Sequence, residues 1–309
     1  MEKNYDLIIL GGGPASMSAG VYAKQMKLDT LLIEKSEFGG QVAITSSVDN
    51  YLGFENISGK DLSKNMHNHL LSTGIEIINE EIVKTELVNE IKVVHTHNNT
   101  YHAKSVIIGI GTTARKLGVE NEQKYLNRGI SYTTLKDREK YEDKIVAVVG
   151  GGNSAIEGAL YLAEKCRKVY LIHRRNEFRA DAKLVDTLHK NIANNSKIEL
   201  VLDCKPHSIQ GEFKVEKFNV THIPTENIRT MDIDCIFVAI GRGADTDIID
   251  ESIIRNDSGY IVTNEKMETN IDGVYEIGDI RTTPLRQIVT AVADGAIAVV
   301  SALGYIKQK

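Results

Sequence analysis

The sequence predicts an α/β protein built from two doubly wound, Rossmann-like domains. Three observations predict it: a strand, glycine turn, helix and strand at residues 5–34, a second such unit at 144–172, and a strand, glycine turn and apolar helix at 273–303. In the first unit, residues 5–10 are an apolar, β-branched run that breaks into Gly11-Gly12-Gly13. A helical pattern follows from Ala15 to Met26, and a second apolar run ends in Glu34. An acid about 20 residues beyond the glycines is the spacing of a dinucleotide fingerprint. Gly11 allows the tight turn, and Gly13 lets the backbone approach a pyrophosphate at the helix N-terminus. Glu34 can accept hydrogen bonds from both ribose hydroxyls of an adenosine. Ser16 holds the third glycine position and is small enough for close helix–strand packing.

At 309 residues the chain is long enough for two cores. A net charge of −5 and a pI near 6.0 argue against a nucleic-acid footprint. No uninterrupted apolar run reaches the ~18 residues of a membrane span, and MEKNYD leads straight into a strand without a signal-peptide pattern. The expectation is a soluble, cytoplasmic protein with no nucleic-acid or membrane partner. Its three cysteines, Cys166, Cys204 and Cys235, are odd in number and far apart, which excludes a disulfide framework and any C-x-x-C metal or redox pair.

After Glu34 and Lys35 come Phe38-Gly39-Gly40-Gln41 and then Val48-Asp49-Asn50-Tyr51-Leu52-Gly53-Phe54. Taken alone these are polar loops rich in turn formers. Together with the opening unit, GGQ and NYLGF resemble the flavin domain of the low-molecular-weight thioredoxin reductases. That resemblance implies FAD held by Gly11, Gly13, Pro14, Ala15, Glu34, Lys35 and Gly40, with Glu34 on the ribose and Gln41 and Asn50 along the flavin.

Residues 61–73 read as an amphipathic helix carrying Leu62, Met66, Leu70 and Leu71 on one side. Short runs at 75–79, 82–88, 91–96 and 105–110 read as a small antiparallel sheet returning to the parallel one. His67, His69, His95, His97 and His102 fall here without helical ligand spacing and read as surface or sheet residues rather than metal ligands. Gly109-Ile110-Gly111-Thr112 ends the last of these strands, and the resemblance puts Gly111 beside FAD. Arg115, Leu117 and Gly118 read as a linker.

The second unit runs from a strand at 144–149 through Gly150-Gly151-Gly152-Asn153-Ser154-Ala155 to a helix at 156–164 and a strand at 169–172. Ala155 replaces the third glycine, which the motif accepts. Where the first unit has an acid, this one has His173-Arg174-Arg175, with Arg179 four residues on. A carboxylate there favours the 2′-hydroxyl of NADH, whereas arginines favour the 2′-phosphate of NADPH. The alternative is a solvated basic loop. Strands at 198–202, 207–220 and 233–239 follow, and Ile240-Gly241 closes this NADPH site.

Residues 260–263 read as a short strand. Residues 273–280 give a strand, a turn and Asp279, and a helix opens at Arg286-Gln287-Ile288 and runs to Leu303. By resemblance Asp279 meets the ribityl chain of FAD, and the helix N-terminus at Gln287, with Arg286 and Ile288, lies at the pyrimidine edge. A helix dipole there stabilises the negative charge of reduced flavin. The implied domains are a discontinuous FAD-binding domain, 1–115 and 245–309, with an NADPH-binding domain, 116–244, inserted in it.

The resemblance spans nearly the whole chain and departs at one place. The family carries C-x-x-C-D before the second fingerprint. This chain reads Ser131-Tyr132-Thr133-Thr134-Leu135-Lys136-Asp137, with Thr133 and Lys136 at the thiol positions. Thiol–disulfide exchange needs a thiolate, which neither residue supplies. Cys166 and Cys235 read as packing residues. The run Lys136-Asp137-Arg138-Glu139-Lys140-Tyr141 is similar to one in the thioredoxin-reductase-like ferredoxin–NADP reductases, which extend past the last helix with an aromatic tail, whereas this sequence closes on Lys309. The bacillithiol-disulfide reductases have a cysteine where this chain has Ala15.

The expected activity is an FAD-dependent NAD(P)H oxidoreductase. Hydride would pass from NADPH to the flavin, and electrons would leave to ferredoxin, flavodoxin, a quinone or oxygen. Asp137 is a candidate proton donor near the flavin, with an ordinary loop or cap aspartate as the alternative. A thioredoxin-disulfide reductase with another relay and a non-enzymatic FAD/NADPH sensor are the competing readings. A homodimer is the assembly that the resemblance implies.

Overall fold

The computed structural model describes residues 4–45, 47–132, 138–194, 197–244 and 246–309. The chain forms two compact units, residues 1–113 with 243–309, and residues 114–242. Thr133, Lys136 and Asp137 lie outside the described residues.

The first unit opens with β1 (Asn4–Leu10), α1 (Pro14–Gln25) and β2 (Thr30–Glu34). β1 and β2 are parallel, with Leu7 opposite Thr30 and Leu10 opposite Ile33. Along β1, Leu7 and Ile9 enter one apolar cluster, while Ile8 and Leu10 enter another on the opposite face. Each fully buried aliphatic side chain stabilises the fold by about 1.5–3 kcal/mol, so a strand apolar on both faces is held at the centre of a covered sheet. α2 (Gly59–Ser72) starts where Ser58 Oγ accepts a hydrogen bond from the Asp61 amide at 3.0 Å.

β3 (Glu76–Asn79), β4 (Ile82–Glu86), β5 (Lys92–Thr96) and β6 (Thr100–Ile108) complete the order β3-β2-β1-β6-β5-β4. β4 and β5 are antiparallel and return to the parallel sheet as expected, whereas β3, expected among the antiparallel strands, pairs parallel with β2. β6 makes that return, since it lies parallel to β1 along one edge while its first half pairs antiparallel with β5 along the other. Lys92, buried at 1% exposure, survives there because its ammonium donates to the carbonyls of Leu87 and Asn89.

The second unit contains β7 (Ile130–Ser131), β8 (Ile145–Val149), α3 (Asn153–Ala163), β9 (Lys168–Ile172), α4 (Ala182–Asn194) and β10 (Ile198–Val201). β11 (Cys204–Gln210), β12 (Lys217–His222), β13 (Ile228–Asp232) and β14 (Cys235–Val238) follow. The parallel sheet has the order β10-β9-β8-β14-β7, and β11-β12-β13 form a separate antiparallel sheet. α4 is an addition to the sequence reading, carried by Leu184, Val185, Leu188 and Ile192 against the core. The single strand expected at 207–220 is a hairpin, closed where the Glu216 amide donates to Gln210 O at 3.0 Å.

The chain then returns to the first unit. β15 (Val274–Glu276) pairs with β6 beyond the point where β5 leaves it, with Val274 opposite Val106. In place of the strand expected at 260–263, Ile261 makes isolated bridges to Arg255 and Arg281. α5 (Ile288–Ile306) packs on α1. A Cβ added to Gly295 would sit 2.2 Å from Ala15 O, so the two helix backbones meet. By length and composition α5 is apolar enough to cross a membrane, although Thr290, Asp294 and Ser301 interrupt its apolar runs. Its inner face is instead committed to protein, with Ala298, Val299 and Ala302 in the core and Ser18 Oγ donating to Val292 O.

Candidate active site

The C-terminal ends of β1, β6 and β15 point at one cavity of about 370 Å³ within the first unit. Of the residues expected to hold FAD, Gly11, Gly13, Pro14, Ala15, Glu34, Gly40, Gln41, Asn50, Gly111, Asp279, Arg286, Gln287 and Ile288 all line it. Lys35 does not, and its ammonium pairs with Glu81 at 3.1 Å on the surface.

The local chemistry explains the cradle. Gly11 has φ +100°, and a Cβ there would lie 2.5 Å from Gly109 O, so only glycine makes this turn. Ser16 does more than keep the helix close: it is fully buried, and its hydroxyl donates to Gly109 O at 3.3 Å. Gly13 differs, because a Cβ there would meet no protein atom within 4 Å. That open space at the N-terminus of α1 fits a pyrophosphate, which backbone N–H groups and the helix dipole favour. Glu34 reaches over the turn, with Oε2 2.9 Å from where a Cβ on Gly12 would lie. Its Oε1 accepts from the amide and hydroxyl of Ser36 at 2.8 and 2.9 Å, which fixes the carboxylate at the end of β2. The residues present fit an adenosine dinucleotide.

The far wall is the turn after β15 together with the N-terminus of α5. Asn50 donates to Gln287 Oε1 at 3.2 Å, joining the loop after GGQ to the helix cap. Arg286 is committed to structure as well as to the cavity. It donates to Asp279 O at 3.1 Å and to Arg281 O at 3.3 Å, and its guanidinium lies 4.0 Å from the ring centroid of Tyr260.

Two residues that the sequence reading missed hold this wall. Asp294 accepts from the Gly278 amide at 3.0 Å and from two nitrogens of Arg281 at 2.7 Å each. The signal was a lone acid inside the alanine- and valine-rich run of α5. A third missed group is Glu276, fully buried, with neither carboxylate oxygen hydrogen-bonded among the described residues. Burial pushes its pKa well above the ordinary 4.5, against the pull of Arg281 and Arg255.

In the second unit Gly150, Gly152, Asn153, Ser154 and Ala155 form the turn from β8 into α3, with Gly152 as the helix cap. Gly152, like Gly13, has nothing within 4 Å of an added Cβ. Arg174, Arg175 and Arg179 are exposed on the loop after β9. Two straps bind that loop to the turn: Arg179 N donates to Gly151 O at 2.8 Å, and Asn153 and Asp181 exchange hydrogen bonds of 2.6 and 2.9 Å.

His173 stands apart from the arginines. It is buried at 5% exposure beneath Gly151, whose added Cβ would lie 2.2 Å from the ring, and it stacks on Phe178. Burial, and then the charge of Arg179, lower its pKa, so it serves as a neutral floor to the turn. Gly241 follows β14, and its carbonyl accepts from Arg115 N at 3.0 Å, while Ile240 packs against the core.

Among the described residues no group of three or more His, Cys, Asp or Glu is placed to hold a metal ion. His67 stacks on Phe38 with ring centroids 4.1 Å apart, and His95 shares a hydrogen bond with Thr100. Cys166, Cys204 and Cys235 are all buried in the second unit, and burial raises the pKa of the Cys204 thiol.

The family described as pyridine nucleotide-disulphide oxidoreductase matches residues 5–295. A 34.2 kDa protein in the rubredoxin operon of Clostridium pasteurianum is 38% identical over 311 residues, covering 100% of this chain and 99% of its own. Thioredoxin reductase of Bacillus subtilis is 38% identical over 308 residues, covering 99% of this chain and 96% of its own. The crystal structure of Lactococcus lactis thioredoxin reductase in its FR conformation superposes with a TM-score of 0.85 at 32% identity, covering 99% of this chain and 100% of that one.

Proposed function

We propose that this chain, which belongs to the pyridine nucleotide-disulphide oxidoreductase family, passes reducing equivalents from NADPH through FAD to an acceptor other than the disulfide of thioredoxin. It is an NAD(P)H-dependent flavin oxidoreductase of thioredoxin reductase type, with FAD and NADPH as cofactors. When bound, the nicotinamide supplies a hydride, and the flavin takes it and releases the electrons to an acceptor. The protein supplies position and field. In this reading Gly11 to Ala15 hold the pyrophosphate of FAD, Glu34 its ribose, and Asp279 its ribityl chain. The N-terminus of α5 supports negative charge at the flavin. Gly150 to Ala155, Arg174, Arg175 and Arg179 hold NADPH.

The observation that carries the choice of acceptor is chemical. Both nucleotide turns are complete, yet no two cysteines have C-x-x-C spacing, and all three thiols are buried. Thr133 has no redox chemistry, and Lys136 can neither attack a disulfide nor leave as a thiolate. The relative in a rubredoxin operon supports a small iron protein such as ferredoxin or rubredoxin as acceptor, with flavodoxin, a quinone and oxygen in the same class of test. Asp137 stays a candidate proton donor, tested by Asp137→Asn.

The similarity to Bacillus subtilis thioredoxin reductase favours a second reading, thioredoxin reduction through another relay. A cytoplasmic homodimer belongs to the main reading. Thiols in place of disulfides suit a reducing compartment. The exposed apolar residues Ile297 and Val300 on α5 support a second copy, which sedimentation equilibrium measures.

Anaerobic NADPH is expected to bleach the visible flavin band, and a chain that holds both nucleotides without bleaching would be a sensor. With thioredoxin as acceptor no turnover is expected, while a screen of small iron proteins and flavodoxin is expected to restore it. Turnover with thioredoxin that disappears on mutating Cys166, Cys204 or Cys235 would overturn this reading in favour of the other relay. Thr133→Cys with Lys136→Cys is the converse test, expected to give detectable thioredoxin reduction on an otherwise unchanged scaffold.

A further inference from the structure

We infer that Asp294, acting through the Gly278 amide and Arg281, is a positioning residue that sets how tightly the first unit holds its flavin nucleotide. The inference rests on reading that unit as the FAD site. Asp294 does not line the cavity. The residue is 5% exposed, and its carboxylate ties together two walls that do. One wall is α5 itself, whose first turn brings Gln287, Ile288 and Ala291 to the cavity. The other is the 3₁₀ turn Gly278–Ile280, from which Gly278 and Asp279 face it.

Oδ2 accepts from Gly278 N at 3.0 Å and from Arg281 Nε at 2.7 Å, and Oδ1 accepts from Arg281 Nη2 at 2.7 Å. This is the bidentate geometry in which a guanidinium and a carboxylate fix each other's orientation. The remaining guanidinium nitrogen donates to Thr282 O at 2.9 Å, so the arginine is also anchored to the chain leaving the turn. Gly278 N–H and Arg281 therefore converge on one carboxylate. Its removal leaves an amide without its acceptor and a nearly buried cation without its partner. The segment between them is the one that presents Asp279. A loosened turn lowers affinity for the nucleotide, because the site must then be ordered at the moment of binding.

The test measures FAD affinity and stability separately. Apoprotein of the full chain is prepared for the wild type, Asp294→Ala, Asp294→Asn and a control, Lys92→Met. The control removes another buried charge from the same unit, away from the cavity. FAD is titrated by fluorescence, and thermal unfolding of each apoprotein is recorded.

Asp294→Ala is expected to weaken FAD binding by about tenfold or more, the weight of one charge-assisted hydrogen bond. Asp294→Asn keeps an acceptor for Gly278 N–H and is expected to fall between Ala and wild type, with altered visible circular dichroism of the bound flavin. Lys92→Met is expected to lose stability with FAD affinity unchanged. If Asp294→Ala does not fold, Asp294→Asn carries the test through the same affinity and dichroism. Wild-type FAD affinity and dichroism in the Asp294 variants, with stability lost as in Lys92→Met, would show that the pair only supports the fold. A wild-type apoprotein that takes up no FAD would overturn the flavin reading of the unit itself.

Discussion

A Cβ added to Gly13 would meet no protein atom within 4 Å, and the same holds at Gly152. Both glycines have extended backbone that any residue adopts, φ −76° and −104°. A side chain begun at either place starts into open space at the nucleotide turn, where valine is expected to occupy the room kept for a nucleotide. Gly13→Val is expected to give a colourless protein whose thermal stability lies within about 0.5 kcal/mol of wild-type apoprotein. Gly152→Val is expected to stay yellow while losing reduction by NADPH. Absorbance spectra and melting curves of the two variants check both. Glu276 makes a different prediction at the same scale. Its carboxyl keeps a proton in the folded chain where the unfolded chain, with an ordinary value near 4.5, has lost it. The folded state then binds more protons, so its stability falls as pH rises above that value, until Glu276 itself titrates. Melting temperatures measured from about pH 5 to about pH 8 should decline less for Glu276→Gln than for wild type, and equal slopes would show that the carboxyl is not held protonated. The first unit's glycines and Glu34 were legible in the sequence because spacing along one βαβ unit brings them together, and they line one cavity. Asp294, Arg281 and Glu276 were not, because their roles depend on where α5 and β15 land against a sheet begun far earlier in the chain.

At the scale of the element, we propose that the loop after β9 decides which nicotinamide nucleotide is used. Its arginines follow β9 in the second unit as Glu34 closes β2 in the first, and the Arg179 amide and the Asn153–Asp181 pair hold the loop against the glycine turn. Arg174→Ala with Arg175→Ala is expected to lower kcat/KM for NADPH relative to NADH by roughly one to three orders of magnitude, the weight of one or two charge-assisted hydrogen bonds. Steady-state kinetics with both nucleotides check this, and an equal loss for the two would show that the arginines do not read the 2′-phosphate. The elements with an unambiguous period, β1, β2, β8, β9 and the helices α1, α2, α3 and α5, were legible in the sequence. Sequence reading merged β11 and β12, because alternation of apolar and polar residues runs through the hairpin turn without a break. It passed over α4 because that helix carries one thin apolar stripe in a polar stretch. It extended residues 260–263 into a strand although only Ile261 finds partners.

For the whole molecule, the apolar clusters of the second unit draw only on residues within 114–242. Residues 114–242 expressed alone are therefore expected to fold cooperatively and to bind NADPH without FAD, as calorimetry and nucleotide titration would show. The first unit has no such independence, since its sheet and its cavity are finished by residues that follow the insertion. This has a consequence for the order of events during synthesis. When Ile108 leaves the ribosome, half of one edge of β6 has no strand to pair with and the α5-facing side of α1 is bare. About 180 residues separate Ile108 from Ile288, an interval of about 10–40 s at ribosomal elongation rates of about 5–20 residues per second. The inserted unit is made within that interval and can be folded before β15 and α5 arrive. On this reading the nascent chain would meet the cell able to recognise one nucleotide while still unable to keep the other, and its colour would be acquired last.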